Sequence, residues 1–131
     1  MILSRLHLSI DATSRLRNLK ARTGMDYNIH CRIGLCYSLA DGRVPRGADY
    51  DEKGLEISRL TLFGEWEPAY LALVRERCVQ TGLDPEGDLW DQLRAHVNRG
   101  VIAVSARVKD LGDLADLLPQ GEVTAPRKTS R

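Results

Sequence analysis

Apolar and polar residues alternate from Leu3 to Ile10 (LSRLHLSI), the period of a β-strand. Leu6, Leu8 and Ile10 share one face of it, and Arg5, His7 and Ser9 share the other. The period then changes. Ala12, Leu16, Leu19 and Thr23 recur at helical spacing, which predicts a helix over Asp11 to Thr23, with Asp11 as N-cap and Gly24 as its left-handed stop. A second helix, Asp26 to Leu39, carries one stripe of Ile29, Ile33, Cys36 and Ala40 and another of Leu35 and Leu39. It is apolar around much of its circumference, so it belongs at the centre or in an interface. Arg32 falls between the two stripes, where a charge must snorkel out, face another subunit or meet a carboxylate.

Asp41 to Lys53 reads as a long loop, and loops of that length are functional or mobile. Leu55 to Glu65 (LEISRLTLFGE) reads as a second strand that stops at Gly64. A helix follows from Trp66-Glu67, with Pro68 in its first turn, a stripe of Tyr70, Leu71, Val74 and Cys78, and a stop at Gly82. Asp84-Pro85 opens another helix, striped with Leu89, Trp90, Leu93 and Val97 and closed by Gly100. Val101 to Val108 fits either a helix or a short buried strand, and Asp110 to Leu118 a last short helix. Pro119 to Arg131 has no core-forming pattern. The expected organisation is one domain over residues 1–118 and a mobile basic tail over 119–131. The expected fold is mainly α: a strand and two helices that resemble a ribbon-helix-helix unit, followed by a small helical bundle. In such units the strand pairs with a second copy and presents its outer side chains to DNA. Here the strand has two candidate partners, its own copy in another subunit or the segment beginning at Leu55.

Charge sharpens this picture. The net charge is only +1, but residues 1–46 hold eight Lys or Arg against three acids, and residues 47–96 hold five against eleven. The first helix carries Arg15, Arg17, Lys20 and Arg22 with no acid after its cap. A helix of one sign argues for an anionic partner. Arg5, His7, Arg15, Arg17, Lys20 and Arg22 are therefore the candidate DNA contacts, acting on phosphates. No run of about 18 apolar residues marks a membrane span, and no secretory signal is evident. Three cysteines without a CxxC pattern suit a reducing compartment, so a cytoplasmic protein is expected.

Other chemistry finds less support. Cys31 and Cys36 point about 140° apart on a helix, too divergent to share a metal, and read as core fillers. His7, His30 and His96 belong to no ligand motif. Asp49, Asp51 and Glu52 could hold a divalent ion for DNA nicking or be ordinary solvated charge. No phosphate-binding glycine loop or nucleophile elbow occurs. No cofactor and no resident metal are expected, and a non-enzymatic role is favoured over nicking.

Three separated blocks carry a family resemblance: Arg22-Thr23-Gly24…Asn28…Cys31-Arg32…Leu35-Cys36…Ser38-Leu39, then Arg59…Thr61-Leu62…Gly64-Glu65, then His96…Arg99-Gly100. Together they resemble the DndE family of bacterial DNA sulfur-modification proteins over roughly residues 3–118. Ser58 stands where the family pattern has Asn, and Asp26-Tyr27 where it has Thr-Pro. The resemblance implies a role in replacing a non-bridging phosphate oxygen of DNA by sulfur. It further implies binding of duplex or nicked DNA, self-association, and partners that include a sulfur-transferring subunit and an ATPase. Within these blocks an ion pair of Arg32 with Glu65 is expected to tie the second helix to the middle segment. The rival readings are a metal-dependent nicking subunit and a stand-alone ribbon-helix-helix repressor.

Overall fold

The computed structural model describes residues 5–117. Strand β1 (Arg5–His7) leads into α1 (Ile10–Thr23) and α2 (Tyr27–Leu39). After a 3-10 turn at Gly47–Asp49 come β2 (Glu56–Ser58), α3 (Arg59–Phe63) and a second 3-10 turn at Gly64–Trp66. Helices α4 (Glu67–Gln80), α5 (Leu89–Arg107) and α6 (Leu111–Ala115) complete the order. The fold is thus mainly helical. The expected tail over 119–131 lies outside the described residues, as does Leu118.

The first strand finds its partner inside the chain. β1 pairs antiparallel with β2, with Arg5 opposite Ser58, Leu6 opposite Ile57 and His7 opposite Glu56. Leu6 and Leu8 are buried as the alternation predicts, but Ile10 is exposed. The strand ends early because Ser9, not Asp11, caps α1: its hydroxyl accepts from Ala12 N–H at 3.0 Å. Gly24 ends α1 as expected, at φ 78°, its N–H reaching Lys20 O.

The second expected strand is cut short by the same chemistry. Ser58 Oγ accepts from Thr61 N–H at 3.1 Å, so the chain turns helical at Arg59. The apolar alternation of Leu60 and Leu62 is overridden: Leu62 and Phe63 are buried, and Leu60 is left 79% exposed. Asp84-Pro85 forms a turn, and α5 starts at Leu89 with Asp88 as N-cap.

Gly100 does not close a helix. α5 runs through it to Arg107, so residues 101–107 of the ambiguous segment are helix and Val108 is its extended C-cap. Gly100 is there for packing. A Cβ on it would lie 1.7 Å from Gly34 O, and one on Gly34 would lie 2.8 Å from Val101 N. The backbones of α2 and α5 therefore touch where the two glycines meet. Leu35, Leu93, Val97, Val101 and Val104 fill the core on the same two helices.

The long loop is pinned by α5. Arg94 donates Nε–H to His7 O at 2.9 Å, Nη1 to Gly47 O at 3.1 Å, and Nη2 to Tyr50 O and Asp51 O at 2.6 and 2.5 Å. Gln92 Nε2 reaches Pro45 O at 2.9 Å. Asn98 Oδ1 accepts from Ser9 N–H at 2.8 Å, tying the start of α1 to the same helix. Side chains of α5 thus replace the regular backbone pairing that the loop lacks.

Candidate nucleic-acid interface

The six sequence-selected cations divide into groups. On α1, Arg15 and Arg22 lie on one flank of the buried Leu16–Leu19 stripe and Arg17 and Lys20 on the other. Arg15 Nε pairs with Asp11 at 2.9 Å. Asp11 is therefore a member of α1 rather than its cap, and the helix is not of one sign. Arg22 Nη1 donates to Val108 O at 3.3 Å. Lys20 lies 3.5 Å from Asp26 and sits over the Tyr27 ring, 5.0 Å from its centroid. Arg17 is exposed and has no partner among the described residues.

Arg5 and His7 project from the outer face of β1, and both meet Glu56 across the ribbon. His7 Nε2 is 2.8 Å from Glu56 Oε2, and Arg5 Nη1 is 3.9 Å from Oε1. The structure then joins two residues that sequence reasoning kept separate. Arg5 and Lys20 line one cleft of about 630 Å³ between the ribbon and the α1–α2 turn.

Arg32 is not answered by Glu65. Its Nε–H donates to Leu62 O at 2.5 Å, and no ion pair joins it to a carboxylate among the described residues. Leu62 lies in the last turn of α3, whose carbonyls lack helical partners, and a half-buried guanidinium satisfies one of them. Glu65 is exposed instead. The acids Asp49, Asp51 and Glu52 do not converge either. No group of three His, Cys, Asp or Glu among the described residues is placed to hold a metal. Asp51 serves the fold. Its carboxylate accepts from Lys53 N–H at 2.9 Å and Ile10 N–H at 3.1 Å, and these bonds, Lys53 first, hold it below the usual carboxylate range.

The cysteines also separate. Cys31 is buried, and burial pushes its thiol up to about 12. Cys36 is exposed, against the expectation of a core filler, because it lies on the Ile29–Ile33–Cys36–Ala40 stripe of α2, while the Leu35–Leu39 stripe faces the core. It lines an apolar groove of about 720 Å³ with Ile29, Ile33, Tyr70, Leu114 and Leu117.

A buried polar network at the C-terminal end of α2 went unseen in the sequence. Arg99 donates Nη2 to Ser38 O and Nε to Ser38 Oγ, both at 2.9 Å, and Arg77 Nη2 donates to Leu39 O. Two arginines thereby cap the open carbonyls of α2 and complement its dipole. Ser38 Oγ lies 2.8 Å from His96 Nδ1. Ser38 Oγ accepts from Arg99 and has its own proton to offer to Nδ1 of a neutral His96. The one advance signal was the shared His96…Arg99 block.

Burial, then repulsion from Arg99 and Arg77, lowers His96 to about 4. The unfolded chain protonates near 6.5 and the folded one near 4, so the unfolded state binds more protons between those values. Stability contributed by neutral His96 is complete above pH 6.5 and is lost as pH falls to 4, by about 3 kcal/mol. Urea melts of wild type and His96→Gln across this window check it: the variant should show the shallower acid decline. Parallel profiles would refute the assignment.

No helix among the described residues is long and apolar enough to cross a membrane. Residues 5–110 match the family model for the DNA sulphur modification protein DndE. Among solved structures, the chain is similar to DndE from Escherichia coli B7A, described as involved in DNA phosphorothioation modification. The identity is 26%, the TM-score is 0.63, and the match covers 79% of this chain and 98% of that one. A mutant form of DndE, also described as involved in DNA phosphorothioation, matches at 24% identity and TM-score 0.61, with the same coverage, and supports the fold alone. No curated protein matches. With a family model spanning most of its length and a DndE fold over nearly all of a solved relative, this chain belongs to the DndE family of DNA sulfur-modification proteins.

Proposed function

We propose that this protein is a DNA-binding, self-associating subunit of a cytoplasmic DNA phosphorothioation system, holding duplex or nicked DNA for partner enzymes. The observation that carries the reading is the cationic flank of α1. Arg17 is exposed without a partner among the described residues, and Lys20, one turn on, opens onto the cleft shared with Arg5. Phosphates are the ligand such cations suit, and they bind without reading sequence. Arg5, His7, Arg15 and Arg22 extend the same proposal, although each already has an interaction within the chain. Self-association draws support from the apolar groove between α2 and α6.

The ribbon-helix-helix repressor reading is weaker, since β1 commits one edge to β2 of its own chain. The nicking reading is weaker still, with Asp51 engaged by backbone N–H groups. Charge reversal of Arg17 and Lys20 together (Arg17→Glu/Lys20→Glu) should weaken binding to all duplex sequences alike. It should also flatten the plot of log K against log salt by about 0.9 for each phosphate that the helix no longer neutralises. Unchanged affinity and slope in fluorescence-anisotropy titrations would remove α1 from the interface.

A further inference from the structure

The cleft shared by Arg5 and Lys20 has an unusual charge arrangement. Its polar wall includes Asn28, Ser58 and Thr61, one amide and two hydroxyls. Yet each cation is occupied by a carboxylate of the same cleft. Glu56 Oε1 is 3.9 Å from Arg5, and Asp26 Oδ1 is 3.5 Å from Lys20. The second Glu56 oxygen meets His7 at 2.8 Å. The long pairs are weak by geometry: both Arg5 and Lys20 side chains are about half exposed, and Asp26 is 75% exposed. Exposed pairs of this length contribute little and are screened by salt. Asp26 precedes α2 but makes no side-chain capping bond, so the helix does not hold it in place.

Two cations from different elements thus converge on a concave, hydroxyl-lined space, each matched only by a long, exposed contact to a carboxylate. Concavity focuses their potential. A DNA phosphate has an advantage over an internal carboxylate, because neutralising a polyanion releases condensed counterions. We propose that this cleft is a binding site for a DNA backbone phosphate, which enters as Asp26 and Glu56 give up Lys20 and Arg5. The inference rests on the DNA-binding reading above and adds a distinct consequence: the two carboxylates set the affinity from below, so neutralising them strengthens binding.

The test is Asp26→Asn/Glu56→Gln in the full chain, titrated with a short duplex across salt concentrations. Affinity should rise about tenfold at low salt, and the log K against log salt slope should steepen by about 0.9 for each cation freed. Glu52→Gln/Glu76→Gln makes the same charge change outside the cleft and should leave the slope alone. A cleft variant indistinguishable from that control overturns the proposal. Glu56→Gln alone, half the gain expected, covers the case in which the double variant melts early. The failures are separable. If Arg17→Glu/Lys20→Glu loses binding while the cleft variant matches the control, the DNA reading stands and the cleft falls. If the wild type binds no duplex at low salt, both fall. A deoxynucleoside monophosphate at matched ionic strength should leave the gain in place; if it abolishes the gain, the cleft takes free nucleotides and the assignment to backbone phosphate is wrong.

Discussion

Replacing Gly100 by alanine should lower the melting temperature by about 15 °C or more, equivalent to about 3–4 kcal/mol or greater in a domain of this size. Helix propensity alone predicts the opposite sign, since alanine in a helix interior is favoured over glycine by about 1 kcal/mol. The sign of the result is therefore informative. A Cβ at Gly100 would stand 1.7 Å from Gly34 O, 2.2 Å from Gly34 C and 2.7 Å from Gly34 Cα. All three are backbone atoms, so no change of rotamer relieves the clash. The helices must part, and the packing of Leu35, Val97, Val101 and Val104 opens with them. Gly34→Ala should cost less, because its nearest obstacles are at 2.8 and 2.9 Å. Gly42→Ala, where nothing lies within 4 Å, should stay within about 0.5 kcal/mol of wild type. A Gly100→Ala protein melting at or above the wild-type temperature would disprove the close crossing.

Arg94→Met should be the most costly substitution of a charged residue, at about 3 kcal/mol. The guanidinium serves the carbonyls of His7, Gly47, Tyr50 and Asp51, and methionine keeps the stem while removing every donor. Part of this site reaches solvent, which limits the loss because water can satisfy some of those carbonyls. The damage should be local first. Hydrogen exchange should accelerate through residues 41–55 before the α2–α5 core responds. Arg94→Lys should rescue little, since a single ammonium cannot span four acceptors held in a fork. Wild-type stability with unchanged exchange in that segment would show that the loop is held by other means.

On α1, local signals and folded neighbours differ. Arg15, Arg17, Lys20 and Arg22 look alike along the chain, but only folding decides their partners. Asp11 takes Arg15, Val108 O takes Arg22, and Asp26 takes Lys20. Glu56 was invisible as a member of the site, because residue 56 reaches Arg5 and His7 only once β2 pairs with β1. Arg32 carried a correct local signal, a charge wedged between apolar stripes that needs an acceptor. Its acceptor is the Leu62 carbonyl, and sequence reasoning about charges looks for carboxylates.

The features legible in residue order are periodic or chemically local. The stripe Ala12–Leu16–Leu19, the Gly24 stop and the alternation of Leu6 and Leu8 specify their own elements, because each depends on neighbours within a few residues. The three family blocks likewise identified the DndE family from residue order alone. The remainder depends on contacts between distant segments. Gly100 reads as a helix stop until α2 is seen to need its missing Cβ, and Leu60 to Phe63 read as strand until the Ser58 cap and burial of Leu62 select helix. The partner of β1, the anchor of the long loop and the pairing of each surface cation are interactions across tens of residues. Their energies depend on distance and burial in three dimensions, which residue order does not encode locally.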